Sequence, residues 1–451
     1  MFSKKILQSC LQNAFMICSL KAPILSGLST PKPFMNKPAL ATVFLVVMID
    51  LLGFGIVLPL LPFYAQEFAA SAVTIGLLYS VYSFMQLIFS PIWGSLSDRI
   101  GRRPIMLLST FGAVLAYIVF GLAESLSVLF FSRIIAGVMG GNISTAQAYI
   151  ADVTDKENRA KGMGLIGAAF GIGFVVGPAS ATLLIHSSFH DFVADIGFVE
   201  FAGWMRVNKF ALPGFFAAAL SFCSFLMVLF KLPETVDTSR DRPKGLSRPS
   251  VFTPRFWREL AKQKSLTSRG FLIPLIIGFF LLSFGESSLY SAFPLFAEQE
   301  LNLTAEQVGI QFFYIGIVAV VIQGFLIKPL TTRFDEEKLF LTGNILMILG
   351  LAAIPFSGSM TQLALALCLM AVGKSLNTPT ITSLISQEAD EEHVGAVMGT
   401  AQGMSGLGRM IGPTWGGALF AIYFGLPFVA TAAIVGGTLW IGWKLLGTGN
   451  Q

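Results

Sequence analysis

Twelve stretches of roughly 20 mostly apolar residues recur along this 451-residue chain, each long enough to cross a hydrocarbon layer about 30 Å thick as a helix. They run from 39 to 64, 72 to 93, 104 to 123, 127 to 150, 160 to 185 and 211 to 231. The series continues from 270 to 296, 306 to 328, 338 to 357, 361 to 386, 394 to 421 and 424 to 446. Inside lipid every backbone N–H and C=O must be bonded within the segment, so runs of this kind form helices. At 54% hydrophobic and 12% charged residues, the chain carries too little charge to cover the surface of a soluble protein of this size.

The net charge of +5 is a topology signal. With the N-terminus on the cytoplasmic side, 25 of the 30 Lys and Arg fall on inside loops, and three, Arg133, Lys374 and Arg409, lie within helices. Only Arg206 and Lys209 face outward. That asymmetry is the positive-inside rule, and it places both termini in the cytoplasm, with no nucleic-acid partner implied. Cys10, Cys18, Cys223 and Cys368, and His186, His190 and His393, have no metal-ligand or redox spacing, so neither metal nor cofactor is expected. Residues 1–38 carry five lysines and no acid and read as a cytoplasmic extension.

The longest polar segment follows the sixth stretch and holds ten basic and four acidic residues. It divides the chain into an extension, 1–38, a first six-helix bundle, 39–232, a basic linker, 233–269, and a second bundle, 270–451. The halves echo one another at an offset of 235 residues. Gly164, Gly173, Gly177 and Pro178 in the fifth helix match Gly399, Gly408, Gly412 and Pro413 in the eleventh, where Gly416 and Gly417 complete the pattern. One such glycine is ordinary membrane-helix packing, but a shared pattern indicates a repeat. The expected fold is therefore an all-α membrane protein of twelve transmembrane helices in two pseudo-symmetric bundles, with a substrate site between them near the bilayer midplane.

Four charged side chains crowd "GSLSDRIGRR", residues 94–103. Together with its position after the second helix, this stretch resembles the signature loop of the major facilitator superfamily, through Gly94, Asp98, Arg99, Gly101, Arg102 and Arg103. A carboxylate, a turn glycine and guanidinium forks at helix ends suit a latch whose bonds form in one conformation and break in another. "DLLGFGIVLPLLP" in helix one and "SRIIAGVMGGN" in helix four are similar to motifs of the twelve-helix drug:proton antiporters. "IADVT" at 150–154, "LPET" at 232–235 and the helix-five Gly-Pro pattern extend the likeness to tetracycline efflux proteins. The resemblance implies proton-coupled export of amphipathic organic compounds. Three departures, no acid in helix three, loss of the final glycines in helix five and an added outer segment at 186–207, keep open a metabolite or organic-anion transporter, or a non-transporting receptor on the same fold.

Five ionisable residues lie inside membrane stretches: Asp50, Arg133, Glu286, Lys374 and Arg409. Such groups are costly in lipid and are functional candidates by default. Asp50 sits about 17 Å in from the start of helix one, and Arg133 about 9 Å from the outer end of helix four. Comparable depth suggests a proton-coupling pair. Glu286, with Tyr290 one turn on, reads either as a cation contact in a substrate cavity or as an interhelical partner of Lys374 or Arg409. No nucleophile, base and acid converge as an enzyme requires. The expected partners are protons, a small-molecule substrate and the lipid of an inner or plasma membrane, with the chain acting as a monomer. "NIS" at Asn142 falls within helix four and reads as a chance match to a glycosylation site.

Overall fold

The computed structural model describes residues 37–154, 156–236, 271–389 and 394–448. Nearly all of the extension 1–38, most of the linker 233–269, Cys10, Cys18 and His393 lie outside the described residues.

The first half comprises α1 (Lys37–Gln66), α2 (Ala72–Ile100), α3 (Arg102–Gly121), α4 (Leu126–Met139), α5 (Asn142–Val153), α6 (Lys156–Ile185), α7 (Ser187–Asp195), α8 (Val199–Val207) and α9 (Ala211–Lys231). The second comprises α10 (Leu272–Leu301), α11 (Ala305–Val320), α12 (Ile327–Arg333), α13 (Glu336–Ala353), α14 (Met360–Gln387), α15 (Val394–Ile422) and α16 (Leu426–Thr448). A π-helical turn, Val321–Leu326, joins α11 to α12 in one span. Among the described residues, eleven of the twelve expected spans are long and apolar enough to cross a membrane. The twelfth, α15, is a 29-residue helix holding eight glycines, which lower its apolarity while letting neighbouring backbones approach.

The repeat is written into the helix starts. Ser71 and Thr304 cap α2 and α11, and Ser125 and Ser359 cap α4 and α14; each hydroxyl accepts from a backbone N–H that would otherwise lack a partner in the first turn. Packing repeats as well. α1 lies on α6 as α10 lies on α15, and α3 lies on α9 as α13 lies on α16. The glycine pattern makes the first correspondence possible. A side chain at Gly177 would collide with the backbone of Gly55 on α1, and one at Gly412 with that of Phe284 and Ser288 on α10. Gly173, Gly408 and Gly416 are equally closed, whereas Gly164 faces open space.

The halves meet along two seams, α2 with α15 and α6 with α11. Gly76 on α2 abuts the backbone of Pro413 and Thr414, and Gly417 abuts Ala72. Ser80 Oγ accepts from the Thr414 backbone N–H at 3.2 Å and bonds its hydroxyl at 2.7 Å. On the other seam Gly316 lies against Phe174, Gly309 against Thr182, and His186 faces Glu306 at 3.7 Å. These contacts sit toward the end of the bundle remote from the α2–α3 turn.

Candidate functional site: a cavity between the halves

Between the seams lies a cavity of about 1820 Å³ whose wall takes Asp50, Phe54, Tyr82, Gln86 and Asn142 from the first half and Glu286, Tyr290, Lys374 and Arg409 from the second. It reaches Ser95, Asp98 and Arg99 beside the α2–α3 turn, all of them exposed. Toward the opposite end the rings of Tyr79 and Tyr290 stand 6.1 Å apart, next to the Ser80–Thr414 contact. Access is therefore one-sided.

Asp50 is positioned by a helix that breaks. The fourth span is two helices, α4 and α5, interrupted at Gly140 and Gly141. A break at membrane depth frees carbonyls that lipid cannot bond, and side chains supply the missing donors. Trp93 Nε1 donates to the Val138 carbonyl at 2.5 Å, Ser109 to Met139, Gln86 to Gly140 at 3.0 Å, and Ser144 to Gly141 at 2.8 Å. Tight approach fixes the glycines: a side chain on Gly141 would strike Trp93 and Ser90. The break starts α5 at Asn142, whose side-chain amide donates to Asp50 Oδ2. The other carboxylate oxygen, Oδ1, is buried and has no hydrogen-bond partner among the described residues.

Arg133 does not pair with Asp50, contrary to the depth reckoning. It is 3% exposed, with its guanidinium 4.9 Å over the Phe120 ring and Nε donating to Ser132 at 3.3 Å. The hydroxyls of Tyr117, Tyr82 and Tyr79 lie within its electrostatic reach. The partner of Asp50 is instead Asn142, nine residues farther along, or ~13 Å of helix. Counting from the ends of hydropathy stretches misplaced the register between α1 and the fourth span by that distance.

In the second half, Glu286 on α10 forms an ion pair with Lys374 on α14 at 2.5 Å and accepts from Tyr290 at 3.0 Å. Glu286 is thus an interhelical partner, and its charge is neutralised within the protein. The Lys374 ammonium also lies 5.8 Å over the Phe174 ring of the first half. Arg409 faces the cavity, and its bond is to Ser405 one turn back at 2.7 Å, with no carboxylate within ion-pair distance among the described residues. The Gly-Pro motif that carries Arg409 therefore does two things, closing α15 onto α10 and presenting a cation to the cavity.

The signature loop is a closed network. α2 and α3 are joined by Gly101 alone, at φ +107°, a conformation glycine adopts without strain; a side chain there would meet the Glu234 carboxylate. Glu234 accepts from the backbone N–H groups of Arg102 and Arg103 at 2.9 and 3.1 Å, capping α3 where the helix dipole favours a negative charge. The Arg102 guanidinium bonds Asp98 at 2.6 Å, Asp152 at 3.1 Å and Ser97 at 2.6 Å. Thr235 donates to the same Asp152 oxygen at 3.1 Å, Tyr149 to the Pro233 carbonyl at 2.9 Å, and Arg103 to the Leu229 carbonyl at 2.6 Å. A side chain added at Gly94 would meet Ser144 at ordinary van der Waals distance, and Arg99 lies exposed on the cavity rim. "GSLSDRIGRR", "IADVT" and "LPET" thus converge, and among the described residues every partner of Asp98, Arg102 and Arg103 lies in the first bundle or at the start of the linker, within residues 97–234. Asp152, Glu234 and Asn142 are the functional candidates that residue-by-residue reading passed over. All three were within reach, because each stands in a motif carrying the family resemblance: Asn142 ends "SRIIAGVMGGN", Asp152 lies in "IADVT" and Glu234 in "LPET".

A family model described as Major Facilitator Superfamily matches residues 43–328 and 275–449. The chain is 28% identical over 406 residues to the tetracycline resistance protein, class C, of Escherichia coli, covering 88% of this chain and 95% of that one. It is 29% identical over 415 residues to multidrug resistance protein 2 of Bacillus subtilis (strain 168), covering 89% and 95%. Among solved structures, the human organic anion transporter MFSD10 aligns with a TM-score of 0.64 at 23% identity, over 90% of this chain and 99% of that one. A bacterial homolog of the human lysosomal transporter Spinster aligns with a TM-score of 0.71 at 16% identity, over 92% and 97%; both structures share the fold. The chain is an integral, multi-pass membrane transporter and belongs to the Major Facilitator Superfamily.

Proposed function

We propose that the chain exports amphipathic organic compounds in exchange for protons by alternating access, with Asp50 as the proton carrier. The observation that carries this reading is the placement of Asp50: a carboxylate on the cavity wall, with one oxygen held by Asn142 and the other buried and unpartnered. A carboxyl in that setting gains or loses its proton when its hydration or its donor changes, which converts a conformational change into proton movement. The basic bias of the loops makes the α2–α3 turn cytoplasmic, so the cavity opens to the cytoplasm and the Ser80–Thr414 and Tyr79–Tyr290 contacts close its outer end. In this reading both termini are cytoplasmic and the functional unit is a monomer. The tetracycline and multidrug resistance proteins among its relatives support substrates of this class. In proteoliposomes, an imposed pH gradient drives accumulation of such compounds; accumulation that ignores the gradient would overturn the coupling.

One observation narrows the substrate toward organic anions. Of the five intramembrane charges, Arg133, Lys374 and Arg409 are basic and Asp50 and Glu286 acidic, and the Glu286–Lys374 pair leaves Arg409 facing the cavity without a carboxylate. A surplus cation at this depth calls for a counter-charge, which an anionic group on the substrate supplies; MFSD10 is itself named an organic anion transporter. Arg409→Gln is expected to lose anionic substrates selectively. Equal loss of cationic and anionic compounds would contradict the assignment.

A further inference from the structure

The segment between α6 and α9 is a built helical hairpin. Helices α7 and α8 turn at Gly197, φ +101°, and enclose a small core of Val193, Ala202 and Met205. Arg206 on α8 bonds Asp191 on α7 at 2.6 Å, and the buried His190 ring bonds the Leu184 carbonyl of α6 at 2.8 Å. The anomaly is on its outside. Phe198 is 61% exposed and Val199 66%, and Phe192, Ile196, Phe201 and Val207 are likewise exposed. So many large apolar side chains on one short connection do not belong in water.

Its depth identifies what covers them. Trp204 on α8 packs against Phe215 at 6.0 Å, and Phe215 lies four residues inside α9, about 6 Å along the helix axis. Phe201 stacks on Trp204 at 5.9 Å with the rings 8° from parallel. The hairpin therefore lies beside the first turn of a membrane-spanning helix. On α9 itself Phe216 and Phe222 are exposed, as side chains that a membrane helix turns toward lipid are. Aromatic rings with nearby Arg and Lys are the chemistry of the membrane–water interface.

We infer that α7 and α8 form an interfacial hairpin immersed in the headgroup and upper acyl region of the leaflet opposite the α2–α3 turn. Because Arg206 is neutralised by Asp191, its attachment depends on apolar contact and needs no anionic headgroup. The hairpin ties the ends of α6 and α9 to the lipid surface. This inference stands independently of the substrate and of proton coupling.

The test uses the full chain with Cys10, Cys18, Cys223 and Cys368 replaced by Ser, in vesicles of zwitterionic phosphatidylcholine. A nitroxide is placed in turn at Phe201→Cys, at Leu183→Cys on the exposed side of α6 as a lipid reference, and at Glu200→Cys as a water reference. Oxygen is expected to broaden the Phe201 and Leu183 signals severalfold more than a water-soluble nickel chelate does, and the order is expected to reverse at Glu200. Dominance of the chelate at Phe201 would place the hairpin in water and overturn the inference. Exclusion of both agents there would mean a protein cover and overturn it equally. Should Phe201→Cys fail to fold, Val207→Cys, 83% exposed in the native chain, carries the same reading.

Discussion

The two halves pack alike and are charged differently. Gly177 brings α6 onto α1 and Gly412 brings α15 onto α10 by the same backbone-to-backbone approach. Their loops diverge. In the first half Arg102, with its side chain 6% exposed, ties Asp98, Ser97 and Asp152 together while Glu234 caps α3. At the matching place in the second half, Lys328 stands for Gly94, Thr332 for Asp98, and Glu336 and Glu337 for the Arg pair; of the charges, only Arg99 has a like counterpart, Arg333. What forms there is an exposed Lys338–Asp335 pair at 2.6 Å, while Glu336 reaches Ser383 and Gln387 on α14. The cavity divides in the same way, with Asp50 and its amide donor on one side and the neutralised Glu286–Lys374 pair with Arg409 on the other. Packing is the property the repeat retains, and chemistry is the property in which the halves have separated.

That contrast can be broken at several points. The largest effect is expected where the halves agree. Gly177→Val and Gly412→Val should each abolish a monodisperse, folded protein in detergent, since backbone sits where the new side chain would go, while Gly164→Val should leave the melting temperature unchanged. A large difference between the Gly177 and Gly412 variants would show that packing is not equivalent. Next come the loops. Arg102→Ala removes charge-assisted bonds from a buried site and should cost about 1–3 kcal/mol, read as a lower melting temperature, whereas Lys338→Ala, losing one exposed partner, should shift nothing measurable. Equal shifts would dissolve the asymmetry. Asp98→Ala is expected to slow conformational cycling with substrate binding kept, because Asp98 lies at the rim and not among the central cavity groups. The smallest effect is expected at Asn142. Asn142→Ala should slow gradient-driven transport by roughly tenfold, the equivalent of ~1.4 kcal/mol from one hydrogen bond to a charged group, with the fold intact by circular dichroism.

Hydropathy located the spans closely: the stretch 211–231 is α9, Ala211–Lys231, and 361–386 is α14, Met360–Gln387. It failed where apolarity and helicity part company. α2 continues to Ile100 through polar residues beyond 93, and the break at Gly140 and Gly141 leaves no trace in a hydropathy profile. Because that break is invisible to hydropathy, the sequence shows Asn142 only as the end of the helix-four motif and as a chance glycosylation match, and depth counting sets Arg133 beside Asp50, where the structure has Asn142. Register between helices is a property of three-dimensional packing, which also explains why sequence reading left Glu286 between Lys374 and Arg409. The outer segment 186–207 was visible as an addition, but its hairpin form depends on tertiary contacts such as Trp204 with Phe215.

The assignment of proton coupling to Asp50 is tested most directly by one pair of assays on Asp50→Asn in proteoliposomes. With equal pH on both sides, exchange of labelled for unlabelled substrate should proceed near the wild-type rate, since the isosteric amide keeps the cavity wall in place. With a pH gradient imposed, net accumulation against the substrate gradient should disappear. Undiminished gradient-driven accumulation by Asp50→Asn would contradict the account.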